Sequence, residues 1–158
     1  MSGSSALARR LSRAREGVIL LALVACTQPP VTSSVMIPPI PAGGARIWVY
    51  RDFEPYAGKG LPAVFANSGY VGAAELGGAF YRDLPPGRYQ VTVETNGRDF
   101  NQAAEVDLPA GREAYVKIVS LPSWVSGGLN LYERPTFYAW LIPSDTARGD
   151  VARLAFRD

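Results

Sequence analysis

Lys59 and Lys117 are the only amines in this 158-residue sequence that could activate a serine, because the chain has no histidine and its single cysteine is Cys26. A Ser-Lys pair needs a hydroxyl held within hydrogen-bond reach of the amine. Nothing in the spacing places a serine usefully beside either lysine, so both read as solvated strand or loop residues. The missing histidines also remove Cys/His zinc sites, Ser-His-Asp triads and Cys-His nucleophiles.

Carboxylates are plentiful. Asp52 and Glu54 alternate at one strand end, and Glu105 and Asp107 alternate in another strand. A glycosidase pair needs two carboxyl groups about 5 to 9 Å apart across a cleft, whereas alternation predicts exposed neighbours on a wet sheet face. Asp52, Glu54 and Asp99 could offer oxygens to calcium, but the sequence has no Asp-x-Asp-x-Asp-Gly loop, so no metal or other cofactor is expected. Gly72, Gly77 and Gly78 fall between β segments with no helix start and predict bulges or turns, not a phosphate loop.

Aromatic side chains crowd the late chain: Trp124, Tyr132, Phe137, Tyr138 and Trp140. Most are expected in a core, where large rings fill the space between two small sheets. Trp124 stands apart, between Pro122-Ser123 and Ser126-Gly127-Gly128, and reads as a loop tip. It is either an anchor for a protein or glycan partner or a plug for the open end of the core.

The elements that position these residues begin after a distinct leader. Residues 17–25 are an apolar run, GVILLALVA, preceded by Arg9, Arg10, Arg13 and Arg15. That order is the outline of a secretory signal, and the run is shorter than the ~20 residues of a membrane-spanning helix. The formal charge of +2 owes its sign to those arginines, so the remainder is close to neutral and no nucleic-acid partner is expected.

Leu23-Val24-Ala25-Cys26 closes the run and resembles the lipobox of bacterial lipoproteins. The resemblance implies cleavage before Cys26 and acylation (diacylglycerol, then an N-acyl chain such as palmitate) of that residue. Acyl chains would then be the membrane anchor. Thr27 follows the cysteine where an aspartate commonly marks inner-membrane retention, which implies outward sorting to the periplasmic face of the outer membrane. An intramolecular disulfide is impossible with one cysteine.

Residues 27–44 contain Pro29, Pro30, Pro38, Pro39 and Pro41 and end in Gly43-Gly44. Five prolines favour extended polyproline II over helix or central strand. The segment reads as a tether with a reach of at most about 50 Å at ~3.1 Å per residue. The expected organisation is therefore a signal over 1–25, a lipidated cysteine and tether over 26–44, and one domain over 45–158.

That domain reads as all-β: a small antiparallel sandwich of about seven to eight strands, each ended by Gly, Pro or Asn. Residues 46–51 (RIWVYR) are apolar on both faces and predict a central, covered strand. Residues 61–66 and 70–76 form a pair turned by Asn67-Ser68-Gly69. Residues 80–94 read as a hairpin about Leu84-Pro85-Pro86-Gly87, and Tyr89, Val91 and Val93 give its second arm one dry face. Asn96-Gly97 signals a further hairpin into 103–108, and Pro109-Ala110-Gly111 turns the chain into 113–121. Residues 129–132 and 137–142 end the sheet region, interrupted by Pro135. Residues 144–157 predict a short helix with Ser144 as N-cap and Arg153 and Arg157 near its end.

The run FYRDLPPGRYQVTVET, with Leu108-Pro109-Ala110-Gly111 and Tyr115-Val116-Lys117-Ile118 after it, resembles the bacterial lipoprotein domain-of-unknown-function family 2846. The resemblance covers residues 45–142. It implies a lipobox signal, a tether and one β-sandwich related to the transthyretin-like and carboxypeptidase-regulatory domains, with no catalytic residues to carry over. Together these features predict a lipid-anchored, non-catalytic structural or docking module of the cell envelope with a protein partner. The alternative is an envelope glycan-binding module or weak carbohydrate-active enzyme using aromatic platforms with Asp52, Glu54 or Asp99.

Overall fold

Ile47 and Val49 face one hydrophobic core while Trp48 and Tyr50 face another, which is why a strand apolar on both sides belongs at the centre of this protein. The structure is a computed structural model. It describes residues 28–158 other than 56, 97, 98, 123, 128, 129 and 134, and for 124–127 and 130–133 it describes the backbone.

The first sheet runs, in spatial order, β10 (Thr136–Ile142), β7 (Glu113–Leu121), β1 (Ala45–Arg51), β4 (Gly78–Leu84) and β11 (Ala155–Phe156). β1 is buried along its whole length, antiparallel to β4 and parallel to β7. The second sheet is β3 (Gly69–Ala73), β2 (Ala63–Ala66), β5 (Gly87–Val93) and β6 (Ala104–Leu108). The sheets close face to face on Ile47, Val49, Val64, Val91, Val106 and Val116, giving an all-β sandwich of nine paired strands.

Among the described residues one α-helix, α1 (Ser144–Arg153), forms a third layer. Its Ala147 and Val151 pack on Trp48, Tyr50 and Tyr115 from outside the first sheet. The helix differs from expectation at both ends. Pro143 precedes it without a side-chain cap, Ser144 is its first residue, and it stops at Arg153. Leu154 turns extended because Ala155 and Arg157 donate backbone N–H groups to Gly77 and Ala79, closing the edge that β4 would otherwise leave open.

Two other segments depart from the sequence reading. β4 and β5 do not pair with each other: β4 lies between β1 and β11, and β5 between β2 and β6. Pro85 and Pro86 offer no N–H to a ladder, so the chain crosses there from one sheet to the other. The Tyr89 hydroxyl donates to the Pro85 carbonyl at 2.6 Å and fixes that corner. Residues 124–127 are a strand, β8 (Trp124–Gly127), paired antiparallel with β9 (Asn130–Glu133) in a separate ribbon. β5 pairs antiparallel with β6 as the hairpin read from the sequence, with the ladder ending at the Val91–Ala104 pair; Gly97 of the expected turn lies outside the described residues.

The proline-rich segment is the largest departure. From Pro30 onward it lies on the domain as a strap: Val31 bridges Ala155, a single 3-10 turn spans Thr32–Ser34, and Ile37 packs beside α1. Proline keeps its carbonyl as an acceptor. Pro30 accepts from the Phe156 N–H at 2.8 Å and Pro38 from Arg46 at 2.9 Å, so the composition of a free linker serves here as a docked one.

Candidate functional site

The carboxylates that sequence reasoning singled out do not converge. Asp52 accepts from the Phe53 N–H at 2.8 Å. Glu54 pairs with Lys117, and Glu105 accepts from Gln90 at 2.9 Å. Asp107 faces Arg88 across the β5–β6 ladder. Asp99 accepts from the Tyr138 hydroxyl and the Phe100 N–H, each at 2.7 Å. Those two donors, Tyr138 first, hold the Asp99 carboxyl below the ordinary aspartate range. Among the described residues no three acidic, histidine or cysteine side chains are grouped to hold a metal ion.

The lysines are placed as differently. Lys59 is exposed in the β1–β2 connection. Lys117 projects from the outer face of β7, whereas Ser120, on the same strand, turns inward and accepts the Gly58 N–H at 2.8 Å. No Ser-Lys pair forms between them, because an odd separation along a strand puts two side chains on opposite faces. Cys26 lies outside the described residues. Trp124 is on β8 and not at a loop tip, and its side chain also lies outside them.

The outer face of β7 and β10 does bring several of these residues together. Trp140 is directly opposite Lys117 and is 48% exposed, with the Tyr138 ring centroid 6.4 Å away. The Glu54–Lys117 pair and the Asp99–Tyr138 bond therefore flank one half-exposed indole. Tyr138 itself is buried, so the face presents one ring for stacking.

A groove of about 400 Å³ lies between the strap, the first sheet and α1. Its floor is a closed network. Glu113 accepts from Trp48 Nε1 at 3.3 Å and from the Tyr115 hydroxyl at 2.8 Å, and Arg148 Nε donates to that hydroxyl at 3.3 Å. Trp48 and Tyr115 stack with planes 2° apart. Burial pushes the Tyr115 phenol upward despite the opposing Arg148 hydrogen bond. Every named polar group has a partner, so the network fixes the wall of the groove.

Two buried arginines were not visible as special in the sequence. Arg46, 2% exposed, makes a two-pronged contact with Asp83 at 2.6 and 2.9 Å and lies 4.0 Å over the Tyr81 ring. The Asp83 bond, outweighing burial, raises its pKa. Arg51, 1% exposed, makes no ion pair with a carboxylate among the described residues; it donates to the carbonyls of Gly58, Gly60 and Ala74 and covers the Phe137 ring. Burial lowers its pKa, with Glu54 opposing. The cation ties the β1–β2 loop to the sandwich.

Fold and surface define a class: an all-β sandwich with an outer helix and a strapped N-terminal segment. Comparison with protein-family models, curated proteins and solved structures finds no match to this chain.

Proposed function

We propose that this protein is a lipid-anchored β-sandwich of the cell envelope that acts as a non-catalytic structural or protein-docking module. Acylation at Cys26 supplies the anchor, and Thr27 after it, in place of a retention aspartate, supports outward sorting. The carrying observation is that the residues nominated for chemistry are engaged by the fold, Lys117 with Glu54 and Asp99 with Tyr138, while Trp140 and Leu121 remain exposed on the outer face of β10 and β7. Exposed apolar side chains on a sheet edge suit protein contact.

A photocrosslinking residue at position 140 tests the docking role in intact cells, with position 88 on the opposite sheet as control. The proposal expects one discrete adduct from 140 and none from 88. Equal or absent adducts would remove the docking role. A second reading, glycan binding, is favoured by one observation: the half-exposed Trp140 stands between the Asp99–Tyr138 and Glu54–Lys117 pairs. Envelope polysaccharides that quench tryptophan emission in the parent and not in Trp140→Ala would establish it; no response to any of them would end it.

A further inference from the structure

Four residue steps separate Cys26 from Pro30, where the chain becomes part of the domain. The Pro30 carbonyl accepts the Phe156 N–H, Val31 bridges Ala155, and Thr32 donates both its N–H and its hydroxyl to Leu154. Each step spans at most ~3.6 Å, or about 14 Å in all. A domain of roughly 130 residues has a radius of gyration of about the same length, ~14 Å. An acylated Cys26 on so short a leash leaves no room for a bulk water layer between bilayer and domain.

We infer that the strap side of the domain rests on the lipid surface, with Val31 and Met36 as its contacts. This rests on the proposed acylation of Cys26. Met36 is 95% exposed and Val31 46%, whereas the neighbouring Ile37 turns inward to the core beside α1. Both exposed side chains are apolar and stand on the segment that leaves the fold toward the anchor. Charge adds little on this side. On α1, Arg153 pairs with Asp150 and Arg148 lies 3.7 Å from Glu113, so acyl chains and the short leash hold the domain down, and added salt should leave the contact intact. A free 18-residue tether would instead let the domain turn any face to the membrane.

The test uses the full acylated chain, purified from membranes and reconstituted into phosphatidylethanolamine and phosphatidylglycerol vesicles. Met36→Cys and, on the far sheet, Arg88→Cys each carry a fluorophore on the only free thiol, with a nitroxide quencher on the lipid headgroups. Quenching at position 36 should exceed that at 88 several-fold, and a long Gly/Ser insertion between Gln28 and Pro29 should make the two equal. Co-flotation with equal quenching in the uninserted protein would overturn the apposed face while leaving the anchor standing. A preference that survives the insertion would show that the leash is not what holds the face down. Protein that fails to float with the vesicles would overturn anchor and inference together.

Discussion

Thr32 and Leu154 are 122 residues apart in sequence and joined twice: the Thr32 backbone N–H and its hydroxyl donate to the one Leu154 carbonyl, at 2.8 and 3.0 Å. The contact is buried, and it ties the incoming strap to the turn between α1 and β11. Thr32→Val keeps the shape and removes one of the two bonds. The expected loss is about 1 kcal/mol, seen as a lower denaturant midpoint and as faster amide exchange at Phe156, whose N–H is held by the next bond of the strap. Unchanged exchange at Phe156 would show that the strap does not depend on this contact.

Arg46 and Asp83 form the ion pair on which β1, β4 and the strap meet. Arg46 is buried and Asp83 is 26% exposed on its side chain. Asp83→Asn leaves a buried guanidinium without its counter-charge and should cost about 3 kcal/mol. Replacing both, as Arg46→Met with Asp83→Leu, removes the charge together with its partner and should cost less than the single change. A double variant weaker than Asp83→Asn would contradict this account.

Burial raises the pKa of both Tyr50 and Tyr115 above the ordinary tyrosine value of 10.0. For Tyr50 the Asp150 carboxylate, 3.3 Å from the hydroxyl, adds to the effect. A raised folded-state pKa means that the neutral phenol contributes stability in full below the unfolded value and loses it as pH climbs through the folded value. Stability should therefore be flat below pH 10 with respect to these two groups and fall above it. Tyr50→Phe should make the alkaline fall shallower in a urea titration repeated across pH, and an unchanged slope would contradict the linkage.

Gly72 sits on β3 at φ +154°, and a Cβ there would lie 2.6 Å from the ring of Phe80, itself buried in the core. Gly72→Ala should cost about 1–3 kcal/mol by overpacking. Phe80→Leu removes the obstructing ring edge, so the cost of Gly72→Ala in that background should shrink. Equal costs in both backgrounds would place the strain in the backbone.

What could be read from the sequence depended on whether the deciding contact was local. Ile47 and Val49 alternating with Trp48 and Tyr50 predicted a strand covered on both faces, and β1 is that strand. Tyr89, Val91 and Val93 likewise predicted the dry face of β5. The turn at Pro85-Pro86 was legible as a reversal, but nothing local says which sheet the next strand joins. The strap was misread because five prolines describe a docked extended segment as well as a free one; the decisive donors, Phe156 and Arg46, lie outside the strap, whose Pro30 and Pro38 carbonyls accept from them.

The two arginines were harder still. Arg46 finds Asp83 37 residues away, and Arg51 donates to main-chain carbonyls, which leave no mark in residue type. At the candidate face, Tyr138 is buried as the late aromatics were expected to be, whereas Trp140 is 48% exposed because it stands on the outer face of the edge strand β10. Its juxtaposition with Asp99 required the β5–β6 loop to fold over the edge of β10, where Ala139 donates to the Gln102 carbonyl at 3.0 Å.

The central claim, an envelope module held by acyl chains on Cys26, is tested most directly by intact mass with membrane fractionation of the protein made in a Gram-negative host, with and without Cys26→Ala. The account predicts a mature chain that begins at an acylated Cys26 and fractionates with the outer membrane, and a Cys26→Ala protein that lacks the acyl mass and leaves that fraction. A protein that keeps its leader, or whose mass and fractionation ignore the substitution, would contradict it.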